Sequence, residues 1–67
     1  MAWTYQIAAG NQSVVITAND EKTGPYWCRV YVNVRAGQPG DATTVHCTRK
    51  TIPGAFKWAR QKLGMAA

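Results

Sequence analysis

Polar and apolar side chains alternate through most of the first fifty residues, and this period of two gives way at Ile52 to a helical spacing. Alternation of that kind fits a pleated strand with one covered face. It predicts four strands, over about 2–8, 12–18, 26–35 and 42–50. Gly10-Asn11 separates the first two as a hairpin turn, since both residue types tolerate positive φ. The polar stretch from Asn19 to Pro25 and the stretch from Ala36 to Asp41 supply the other two connections. Links this short join spatial neighbours, so the strands form an antiparallel meander.

Beyond Ile52, Phe56, Ala59 and Leu63 recur at i, i+3 and i+7, with Lys57, Arg60, Gln61 and Lys62 between them. This is an amphipathic helix. Thr51 can cap its first turn, Pro53 is tolerated where no intrahelical N–H is lost, and Gly64 ends it before the short Met65-Ala66-Ala67 tail. The expected fold is α+β in the order β-β-β-β-α, a four-stranded antiparallel sheet with one C-terminal helix across one face. Residues 1–67 form one small domain, too short to hold a multi-step enzyme with its own cofactor domain.

Parity sorts the strand residues between two faces. Trp3, Tyr5, Ile7, Val14, Ile16, Tyr26, Cys28, Val30, Val32, Val34, Val45 and Cys47 fall on one side, to be covered by Phe56, Ala59 and Leu63. Arg49 falls there too, and is expected to reach the sheet rim or mark a bulge near the strand's end. The other side collects Thr4, Gln6, Ser13, Val15, Thr17, Trp27, Arg29, Tyr31, Asn33, Arg35, Thr44, His46, Thr48 and Lys50, with no acid. Aromatic rings stack on bases and guanidinium groups meet phosphates, so strand three, with Trp27, Arg29, Tyr31 and Arg35 outward, has the composition of a nucleic-acid platform. The same rings also suit a protein interface, or a solvated face on which aromatics pack against cross-strand neighbours.

Eight Lys and Arg against three Asp and Glu leave a formal charge of +5, while 46% of the residues are hydrophobic and 16% charged. That balance describes a folded basic domain and excludes a disordered polybasic tail. Residues 49–62 carry Arg49, Lys50, Lys57, Arg60 and Lys62 without an acid, and the remainder of the chain is neutral. This run is expected to lie beside the basic strand, although such runs are also ordinary on solvated helix faces. No apolar stretch is long enough to span a bilayer and the first residues do not have the pattern of a leader, so neither membrane nor secretion is expected.

Two cysteines and one histidine give no recognised metal spacing, and neither a metal nor a cofactor is expected. Cys28 and Cys47 should face each other on adjacent strands on the helix side, buried and reduced, though within reach of a disulfide. His46 cannot activate Cys47, because neighbours on a strand point to opposite faces. Asp20, Glu21 and Asp41 all fall in turns. The chain is therefore read as a non-enzyme, with cleavage of RNA by His46, Arg29 and Lys50 as the catalytic alternative.

The segment Lys50-Thr51-Ile52-Pro53-Gly54-Ala55-Phe56-Lys57-Trp58-Ala59 resembles the strand-to-helix junction of small accessory proteins of bacteriophages and plasmids. The resemblance implies a cytoplasmic product in a bacterial host that binds nucleic acid, or one that inhibits a host defence complex as anti-CRISPR proteins do, and it implies no active site. The element order also looks like the single-strand-binding coactivator fold, and its last part like the arm-binding domains of phage integrases. Two functions follow as expectations. One is a DNA- or RNA-binding module using Trp27, Arg29, Tyr31, Arg35, His46, Lys50, Lys57 and Arg60. The other is a protein-binding inhibitor anchored by Trp27, Tyr31 and Trp58. Either is open to homodimer formation through an edge strand.

Overall fold

The computed structural model describes residues 2–38 and 40–64. Met1, Pro39 of the expected third turn, and the tail 65–67 lie outside the described residues. Four antiparallel strands, β1 (Trp3–Ala9), β2 (Gln12–Ala18), β3 (Tyr26–Val32) and β4 (Asp41–Arg49), form one sheet in the order β1-β2-β3-β4. A single helix, α1 (Ile52–Lys62), follows. This is the α+β meander with a C-terminal helix that the periodicity predicts.

The helix begins as its sequence dictates. Thr51 is extended, and its Oγ1 accepts a hydrogen bond from the Gly54 N–H at 3.2 Å, which satisfies a donor that has no partner within the helix. Leu63 closes the last turn on the Ala59 carbonyl at 3.0 Å, and Gly64 follows with φ of 73°.

Packing puts the core between α1 and the inward face of β2 and β3. Val14, Ile16, Ala18, Tyr26, Cys28 and Val30 bury themselves against Ala55, Trp58 and Ala59. Ile52, Phe56 and Leu63 are half-buried around them. The apolar stripe is therefore wider than Phe56, Ala59 and Leu63 alone. Trp58, expected as an anchor for a protein partner, is a core residue only 8% exposed. Its position three after Ala55 places it on the sheet side, where Ala55 and Ala59 are small enough to let the helix close down and the indole fill the space.

Coverage is uneven across the sheet. The edge strand β1 is reached by Phe56, whose ring centroid lies 5.1 Å from that of Tyr5. Trp3 stacks on Tyr5 at 6.1 Å and meets Tyr26 edge-on at 5.9 Å. Trp3 and Ile7 are consequently half-buried, and Tyr5, expected in the core, is 47% exposed.

Two departures from strict parity shape the other end. β3 stops at Val32, not at residue 35, because Asn33 takes φ of 56° and the Val34 N–H turns to the Asn11 carbonyl at 2.8 Å. The second departure is a bulge in β4. Arg29 pairs with His46 but Tyr31 pairs with Ala42, so Thr43, Thr44 and Val45 together stand opposite Val30. Thr43 Oγ1 donates to the Val30 carbonyl at 2.8 Å and accepts from the Val45 N–H at 3.1 Å, which stitches the bulge closed. Val45, expected in the core, is turned out by it and is 43% exposed. Arg49 pairs regularly with Tyr26 and is exposed at the rim, so the irregularity lies mid-strand and not at the strand's end.

Candidate nucleic-acid interface

The outward face of β3 is built by alternation in a strand with neighbours on both sides. Trp27 sits between Thr17 and Thr48, Arg29 between Val15 and His46, and Tyr31 between Ser13 and Ala42. Except for His46, these flanking side chains are small, so the two rings and the guanidinium rise above the sheet. Trp27 is 42% exposed and Tyr31 half-buried. The ring pairs formed by Trp3, Tyr5, Tyr26 and Phe56 all belong to the helix side.

Trp27, Arg29, Tyr31 and His46 line one depression of about 180 Å³, together with Val15, Thr17 and parts of Cys28 and Cys47. None of these lining residues is an acid. Arg29 has a structural duty as well, since its Nη1 donates to the Thr43 carbonyl at 2.9 Å and so braces the bulge. The bulge, invisible to periodicity, thereby fixes where the guanidinium stands.

The remaining sequence candidates are placed elsewhere. Arg35 leaves the strand face for a tight turn, where Gln38 N–H meets the Arg35 carbonyl at 2.9 Å and Asn33 and Asp41 are close by. Lys50 follows β4 and lies with Glu21, Lys22 and Tyr26 near the helix start. Lys57 and Arg60 are exposed on α1, which covers the opposite face of the sheet. Arg60 stands 6.0 Å from the Phe56 ring centroid, and Lys62 Nζ stands 5.6 Å from that of Trp58. The helix cations therefore form a separate surface from the aromatic strand.

Ser13 has outward parity yet is fully buried, and its Oγ has no hydrogen-bond partner among the described residues. Among the described residues no group of three His, Cys, Asp or Glu side chains comes together to hold a metal, and no helix is long and apolar enough to cross a membrane.

No protein-family model, curated protein or solved structure matches the chain.

Proposed function

We propose that this domain is a small basic nucleic-acid-binding module whose contact surface is the outward face of β3 and the adjoining part of β4. The observation that carries this reading is the single depression shared by Trp27, Arg29, Tyr31 and His46, with no acid in its lining. A ring contributes stacking on any base, and a guanidinium contributes a forked, charge-assisted contact to phosphate. Small flanking side chains leave both within reach of a planar ligand. Burial of Trp58 removes one of the three anchors expected of a protein-binding inhibitor, and so favours the nucleic-acid reading.

A labelled oligonucleotide titrated at about 50 mM salt tests the reading, because phosphate contacts weaken log-linearly as salt rises. Binding at low salt that weakens as salt rises is the expected result. Folded protein that binds neither DNA nor RNA, yet retains one stoichiometric protein from nuclease-treated bacterial lysate, would place the same face in a protein interface.

A further inference from the structure

We infer that this face takes an unpaired strand and excludes the duplex. The inference rests on the nucleic-acid reading above and adds the form of the ligand. β3 is an interior strand of a four-stranded sheet. Three interstrand spacings of about 4.8 Å make the sheet about 14 Å wide before its side chains are counted. A B-form major groove is about 12 Å wide and admits a helix or a two-stranded ribbon. Trp27 and Tyr31, carried in the sheet interior, cannot reach base edges in such a groove, whereas splayed bases can come down onto them.

Spacing and charge agree with this. Trp27 and Tyr31 are four residues apart on one strand, about 13 Å, with Arg29 midway. A stacked strand rising about 3.4 Å per nucleotide covers that distance in about four steps, and a splayed one in fewer. The depression between the rings is of a size to hold one base. Cations on this face are few, since Arg29 and His46 are the basic groups in the depression while Lys57, Arg60 and Lys62 ride on the helix covering the other face. A duplex, with its dense double row of phosphates, meets little complementary charge here. Stacking must then supply most of the affinity, and the salt dependence must be shallow.

The test compares an oligonucleotide of about ten nucleotides, single-stranded and annealed to its complement, by fluorescence anisotropy across a salt series. The single strand should bind at least about tenfold more tightly, with a log–log salt slope near −0.7 to −1.4 for one or two phosphate contacts. Trp27→Ala should weaken single-strand binding about 5- to 150-fold at an unchanged slope, and Trp27→Phe should restore most of it. Equal or tighter duplex binding overturns the inference while leaving the nucleic-acid reading in place. So does single-strand binding indifferent to Trp27→Ala. Failure of folded protein to bind either form overturns both.

Discussion

Cys28 and Cys47 stand directly opposite each other across the β3–β4 pair, both as free thiols on the helix side of the sheet. Cys28 is buried and Cys47 half-buried. Burial first, then the charge and hydrogen bond of Cys47, push the Cys28 thiol from its ordinary 9.0 up to about 12, against a lowering by Arg49. The unfolded chain ionises this thiol near its ordinary value while the folded chain keeps it protonated. Its contribution to stability is therefore level below about pH 9 and is lost progressively towards pH 12. Urea midpoints measured over that range should fall more steeply for the native protein than for Cys28→Ala. Parallel declines would show that Cys28 does not drive the loss.

That facing pair also shows what the sequence makes legible. Parity puts both cysteines inward, but their direct opposition comes from the bulge: the register of Val32 with Asp41 and Tyr31 with Ala42, continued without the two extra residues of β4, would set Cys28 opposite Val45. The four strands and the capped helix follow from equally local signals, namely a period of two, a capping Thr51 and a terminal Gly64. The bulge at Thr43 to Val45 does not, because Ala42-Thr43-Thr44-Val45 alternates too weakly to distinguish one register from another. Its existence depends on Thr43 bonding to β3 and on Arg29 reaching across, both non-local. Alternation puts Arg35 on the strand face, but Asn33 ends the strand by a backbone choice that alternation does not report. Sequence nearness groups Lys57 and Arg60 with the aromatic strand, whereas the helix that carries them covers the other face. For Trp58 a local signal existed, since Ala55 and Ala59 around it mark a close helix–sheet approach.

Trp58→Ala should destabilise the domain by about 3–5 kcal/mol, as for other buried aromatic truncations. Leu63→Ala, at a half-buried position, should cost less. Chemical denaturation of both variants checks the order, and the reverse order would contradict the central place of the indole. Should Trp58→Ala fail to fold at all, Trp58→Phe should retain the fold with reduced stability.

Gly40 holds φ of 87°, and a Cβ there would lie 2.5 Å from the Val32 carbonyl oxygen and 2.9 Å from Val34 Cγ2. Both the backbone conformation and the space demand glycine. Gly40→Ala should lower stability by about 1–3 kcal/mol. An unchanged melting temperature would mean that the turn before β4 adapts more freely than its packing indicates.

Ser13 should behave in the opposite sense. Its hydroxyl is buried without a partner among the described residues, and a polar group in that position costs folding free energy without returning a hydrogen bond. Ser13→Ala should be neutral or stabilising, by up to about 1–3 kcal/mol. A clear loss of stability in thermal denaturation would show that the hydroxyl is satisfied in solution.

The proposed ligand contact lies on the outward face of β3 and not on the cationic helix. A two-dimensional amide and indole NMR titration with a single-stranded oligonucleotide separates the two surfaces in one measurement. The predicted result is shifts concentrated at Trp27, Arg29, Tyr31 and His46, with Lys57 and Arg60 unmoved. Shifts centred on Lys57 and Arg60, with the Trp27 indole signal in place, would put the contact on the helix and rule out the β3 face.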